Sequence, residues 1–418
     1  MNKKKRLRRD RLQNLLIAVL SISAVYLFLL TASLKMELPS FSLASSPVEE
    51  ISDSASHLQE LDWPATLVIH DGSKTRLYRQ LSTSDSEFTS VEGLWEDLFR
   101  EGFTTHPISF DEFQAALSLP GIYVSFPNPI PLCILSERLG LPSTDESEVQ
   151  RLLLAADGED VLFYHCDSQR YYFTYTELSA AELFATADVI GGSSCSFAFE
   201  QEAPLLHPLT VLPAELPQYP VLSASSVSAV SDELLGFFGF NAHTTNRYVD
   251  SAGTEVIVES PRRLSITPNG HIRYLGSTSY APEGFSLSTQ SSPTLSELVD
   301  GAYHLLTQLY DDTDLRFYLS DAEYSPAGGT CTLRFSRMVN GLPLLRGDGE
   351  AAAEFVIKDG TVVNCSFLRR EYTLSDTPAL LLPLRQASAI AAQYAGMEMA
   401  LSYVDNGGDS SSVSWLMR

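Results

Sequence analysis

The chain is poor in the residues that build chemistry. Its five cysteines, Cys133, Cys166, Cys195, Cys331 and Cys365, are dispersed over 418 residues. That is too few and too scattered for a disulfide scaffold, and no C-x-x-C occurs. The count is odd, so at least one thiol stays free or pairs with another chain. Cys331 and Cys365 lie in two strand-like runs, and a bridge between them is left open. The sequence has no H-E-x-x-H, G-x-S-x-G or S-x-x-K, no Walker loop and no Rossmann glycine pattern. The eight histidines include no pair at metal-ligand spacing on one element.

Positive charge is also scarce. Lys and Arg number 28 against 52 Asp and Glu, a net charge of −24. Residues 1–11 contribute +6, leaving −30 for the rest. Such a chain makes a poor partner for nucleic acid, which needs basic surface to displace counterions. It is repelled by anionic lipid heads and wall polymers unless cations bridge them. The plainest role of the acidity is solubility. Hydrophobic residues at 44% and aromatics at 10% suffice for a sizeable core. We expect no cofactor.

One long apolar run stands out. After the basic cluster Lys3-Lys4-Lys5-Arg6-Leu7-Arg8-Arg9, residues Leu12–Leu34 carry no charge. About 20 apolar residues can cross a bilayer as a helix. The basic flank predicts a cytoplasmic N-terminus and an extracytoplasmic remainder, as a single-pass protein of the cell membrane. A cleaved signal peptide needs a shorter run and a small-residue cleavage site, and 30–36 offers only weak ones. The expectation is an uncleaved anchor. Ala18, Ser21, Ala24, Thr31 and Ala32 fall on one side of it, where small side chains let a partner helix approach.

The rest divides by composition. We expect a cytoplasmic tail (1–11), the anchor (12–34), a Ser/Pro linker (35–60), an N-terminal α+β domain (61–203) and a Pro-rich connector (204–224). A middle module (225–290) and a C-terminal module (291–418) follow, each a helix leading into a β-meander. Strands are predicted at Ala65–His70, at Gly121–Phe126 ending at Pro127, and within Leu153–Tyr175. Helical spacing runs over Val91–Arg100, Phe110–Leu117, Ala229–Phe238, Leu295–Tyr310 and Leu384–Ala395. Asn269-Gly270 is a strong hairpin turn. The fold class expected is α+β, with tandem helix-plus-β-meander modules.

Candidate sites are few. Gly191–Ser196 could present a nucleophile in a tight turn, with His165 or His207 as base, although a Gly/Ser loop reads the same way. Asp311-Asp312-Thr313-Asp314 gathers carboxylates without the spacing of a calcium loop. Asp405–Asp409 reads as a hairpin turn that could hold a cation.

Several segments together resemble the YycH/YycI family, extracytoplasmic regulators of a cell-wall sensor kinase in Gram-positive bacteria. They are Phe237-Phe238-Gly239-Phe240-Asn241, Arg247-Tyr248, Gly253–Glu259, Val339-Asn340-Gly341-Leu342-Pro343, Asp359-Gly360 and Leu382–Ala387. The resemblance covers the C-terminal half and the anchor. It implies a non-enzymatic protein that binds a membrane sensor histidine kinase and modulates it, with contacts in the bilayer and room for a second related single-pass regulator. A membrane-anchored envelope hydrolase, or a wall- or peptide-binding module without signalling, stands as the alternative.

Overall fold

Runs that alternate buried and exposed side chains, closed by turn residues, dominate the chain and pair locally into hairpins. The computed structural model describes residues 57–418 apart from 73–75, 102–104, 142, 168, 202–205, 244, 291, 311–315, 392 and 395. Nine strands make a first sheet: β1 (Pro64–His70), β2 (Arg76–Ser82), β3 (His106–Ile108), β4 (Gly121–Pro131), β5 (Glu148–Asp157), β6 (Asp160–Cys166), β7 (Tyr171–Ser179), β8 (Ser193–Phe197) and β9 (Val211–Pro213). They run antiparallel in the order β3-β7-β6-β5-β4-β1-β2-β8-β9.

The period of two explains how this sheet is covered. On β5, Leu152, Leu154 and Ala156 face one core, and Leu153 and Ala155 face another. The first core takes Phe88, Val91 and Trp95 of the helix Ser86–Glu101. The second takes Phe113 and Ala116 of the helix Phe110–Ala116, whose start Ser109 and Glu112 close as a capping box. Pro127 does not end β4 as expected. The register jumps from Ser125↔Arg151 to Ile130↔Val149, so the prolines bulge out of the ladder and the strand resumes.

The second sheet holds β10 (Pro220–Ser226), β11 (Asn246–Val249), β12 (Glu255–Glu259), β13 (Arg262–Ile266), β14 (His271–Leu275), β15 (Arg316–Ser325), β16 (Thr330–Val339), β17 (Leu342–Arg346), β18 (Ala353–Lys358), β19 (Thr361–Leu368), β20 (Arg370–Pro378), β21 (Met399–Asp405) and β22 (Ser410–Met417). Its order is β11-β12-β13-β14-β19-β18-β16-β17-β21-β22-β10-β20, with β15 paired to β16. The meander β11–β14 meets the strands β15, β16, β18 and β19 last strand to last strand, at β14 and β19. Among the described strands only β17 and β21 pair in parallel.

The helix Leu295–Leu309 buries Leu298, Val299, Ala302, Leu305 and Leu306 in a core shared by both sheets. Trp63 is buried there too, and its indole Nε1 donates to the Leu319 carbonyl at 3.2 Å. The turn after β16 joins the sheets again. Gln80 of β2 donates to the Gly341 carbonyl at 2.8 Å. Gly341 has φ +71°, and a Cβ there would lie 2.7 Å from the Leu81 carbonyl carbon. Gly341→Ala therefore meets both left-handed strain and backbone it cannot displace. We expect a loss of about 1–3 kcal/mol in urea unfolding. A loss under about 0.5 kcal/mol would show that the turn can lift off β2.

Two expectations need correction. Among the described residues strand outweighs helix, 45% to 23%, in two large sheets, so the fold is mainly β rather than α+β. The predicted helices form, and two are shorter than expected: Asp232–Phe237 replaces Ala229–Phe238 because Ser231 caps it through the Leu234 N–H, and Leu384–Ala391 stops before Ala395. Most of the chain between helices goes into hairpins. The single-pass placement in a cell membrane is not supported either. Among the described residues no helix is long and apolar enough to cross a membrane. The run Leu12–Leu34, with Ala18, Ser21, Ala24, Thr31 and Ala32, lies outside the described residues.

Candidate functional site

A cleft of about 850 Å³ lies beside the start of β20. Leu234 and Phe237 of the helix Asp232–Phe237 line one side, and Leu309 and Tyr310 at the end of the helix Leu295–Leu309 line another. Arg369, Arg370 and Tyr372 close it, and the exposed Glu233 and Glu371 stand at its rim. A space of this size suits a small organic molecule.

A buried charge network underlies the cleft. Arg370 pairs through Nε with Asp405 at 2.8 Å, and its Nη1 donates to Ser226 at 2.9 Å. The Tyr372 hydroxyl donates to the same Asp405 carboxylate at 2.6 Å, and the Gly407 N–H donates to its other oxygen at 2.8 Å. Arg337 comes in from β16, and its Nη1 donates to the Arg370 carbonyl at 2.7 Å. Its guanidinium carbon lies 4.6 Å from the Tyr310 ring centre, 4.9 Å from Phe317 and 5.4 Å from Tyr372. Burial pushes the hydroxyls of Tyr310 and Tyr372 well up, despite the neighbouring guanidiniums, so both stay neutral.

No family model and no curated protein matches the chain. A solved structure of an uncharacterized protein from Eubacterium rectale aligns with 51% of this chain and 79% of its own length, at 10% identity and a TM-score of 0.28. A likeness at that level carries no argument about fold or function. None of these names the YycH/YycI family.

The residues singled out from sequence lie elsewhere or apart. Ser193–Phe197 is β8, not a nucleophile loop, and burial pushes the Cys195 thiol up to about 12. His165 is on β6, five ladder steps from β8, roughly 24 Å away. It cannot act as base for Cys195. Burial lowers His165 to about 4, and it stacks between Phe163 and Tyr172. His207 accepts at Nδ1 from the Leu209 N–H at 3.3 Å, beside the Phe110 ring. Cys331 and Cys365 lie on β16 and β19 with β18 between them. Two strand spacings are about 10 Å, beyond the ~7 Å a disulfide spans. All five thiols are free. Asp405 belongs to the Arg370 network, while Asp311–Asp314 lie outside the described residues.

The sequence reading missed Arg337, though β16 carried a signal for it. Cys331, Leu333 and Phe335 alternate into the core, and Arg337 is the next residue of the same parity. A charge on the buried face of a strand asks for a partner.

Proposed function

We propose that this protein is a regulator that binds a sensor histidine kinase and shifts it between signalling states, as its sequence resemblance to the YycH/YycI regulators implies. The observation that supports a protein partner is the open edge of β20. This strand ends the order of the second sheet and pairs only with β10 among the described residues. An unpaired edge offers N–H and C=O groups to an incoming extended segment. Large apolar side chains are left exposed on it, at Leu374, and just along the chain from it, at Leu380, Leu382, Ile390 and Tyr394. The occupant proposed is an extended, apolar segment of the kinase. The chain's net charge of −24 disfavours an acidic one. Regulation then requires that the contact fit one kinase state better than the other.

The test is crosslinking and capture with the full chain, followed by identification of the captured protein and the linked residues. A histidine kinase crosslinked within 374–394 is expected. Leu380→Lys with Leu382→Lys should cut recovery about tenfold without loss of stability, since both side chains are exposed. Recovery of no kinase, or of a second related regulator alone, overturns the partner. Equal recovery by the variant overturns the surface.

A further inference from the structure

We propose that the cleft beside β20 binds an organic monocarboxylate with an apolar body, its carboxylate seated on Arg337. This arginine lacks a partner that the other buried arginines have. Arg76, Arg138, Arg151 and Arg370, whose side chains are at most 8% exposed, each pair with a carboxylate. Arg337 is 3% exposed and has no carboxylate among the described residues. Asp405, the acid of its own network, is taken by Arg370, the Tyr372 hydroxyl and the Gly407 N–H. The two guanidiniums and one carboxylate leave a net charge of +1 under the cleft.

The three aromatic rings ease that charge, but only in part. A ring face attracts the cation through its quadrupole. It gives the N–H groups no lone pair in the plane of the guanidinium. Neither Nε nor Nη2 makes a well-aligned hydrogen bond among the described residues, although the Tyr310 hydroxyl lies within reach of the guanidinium. Nε and Nη2 form one edge of the guanidinium fork, which matches the two oxygens of a carboxylate.

Position and charge select the ligand. Tyr310 and Tyr372 both line the cleft and both lie against this guanidinium, so Arg337 sits one side chain beneath the cleft surface. A carboxylate that parts the two rings reaches the open edge and neutralises the +1. A phosphate dianion would leave uncompensated negative charge beside Glu233 and Glu371. Leu234, Phe237 and Leu309 offer the ligand's remainder an apolar wall.

The experiment titrates the full chain with N-acetyl-leucine, N-acetyl-leucinamide and inorganic phosphate, read by calorimetry and by the unfolding temperature. N-acetyl-leucine should bind saturably, with Kd at or below about 10 mM, and raise the unfolding temperature. The uncharged amide should bind at least tenfold more weakly. Arg337→Met should keep the fold, since an apolar residue of similar length replaces a buried unpaired charge, and should lose carboxylate binding. Arg337→Lys keeps the charge without the fork and should weaken binding about tenfold. No saturable binding of N-acetyl-leucine, equal binding of the amide, stronger binding of phosphate, or unchanged binding by both variants overturns the proposal.

Discussion

Glu398→Ala should destabilise the protein by about 3–5 kcal/mol, because it strands a buried guanidinium in the seam between the two sheets. Glu398 lies just before β21 of the second sheet, and its Oε2 accepts from Arg151 Nη2 of β5 in the first sheet at 2.6 Å. Both side chains are buried, at 11% and 5% exposure. Arg418 approaches the other carboxylate oxygen at 3.4 Å and exchanges two backbone hydrogen bonds with Glu398, at 2.9 and 3.0 Å. Burial alone pushes Glu398 upward, but Arg418, Arg151 and His207 outweigh it and hold the carboxyl below its ordinary value. The energy at stake is mostly the penalty of a lone charge. Removing both, as Arg151→Met with Glu398→Leu, should therefore recover most of the loss. A double-mutant cycle in urea measures this. A single-variant loss under about 1 kcal/mol would mean that water reaches the pair.

The hairpins were the most legible part of this chain. Asn269-Gly270 turns β13 into β14, and Asp359-Gly360 turns β18 into β19. Both depend on local chemistry, since glycine takes the positive φ that the turn needs. Helix positions were also legible, as the apolar spacing over Leu295–Leu309 is unambiguous. The balance of the fold was not. Each helix reads as strongly as several short strands, so the α+β expectation gave a few helical segments the weight of a structure whose described residues hold twenty-two strands. Which strands become neighbours was hidden as well. The pairings of β17 with β21 and of β10 with β20 link residues far apart in sequence, and no local pattern records them.

The candidate cleft shows the same division. Arg337 announces itself by parity on β16, yet Tyr310, Tyr372 and Asp405 come to it from a helix end and two other strands. Gly191–Ser196, which read as chemistry in sequence, is a polar stretch leading into β8. A nucleophile needs a base at hydrogen-bond distance, and that distance is a property of the sheet order.

Asp62→Ala should cost about 3–4 kcal/mol and should blunt the acid sensitivity of the fold. Asp62 has no exposed surface, yet its carboxylate gathers donors from three neighbouring hydroxyls. Ser82 and Thr83 donate through Oγ and Oγ1, and Ser84 donates through N at 2.9 Å and Oγ at 2.8 Å. The Trp63 N–H donates at 3.0 Å, and Arg316 of β15 donates at 2.7 Å. Ser84 and Arg316 can turn to water when the carboxylate goes, but the buried Ser82 and Thr83 hydroxyls cannot, and each stranded group costs about 1–3 kcal/mol. Burial raises the Asp62 pKa, but the bonds from Ser82, Thr83, Arg316 and Ser84 outweigh it, so the folded value lies below the ordinary one. Its stabilising contribution is therefore complete above the unfolded pKa of about 3.9 and is lost as pH falls through the folded value. Urea midpoints between about pH 7 and pH 2.5 should fall steeply at the acid end for the native chain, through Asp62 and Glu398 together. They should fall less steeply for Asp62→Ala, which has already lost one of the carboxylates that link stability to pH. Parallel acid limbs in the two proteins would show that Asp62 keeps its proton affinity on unfolding and that this network does not set the acid limit.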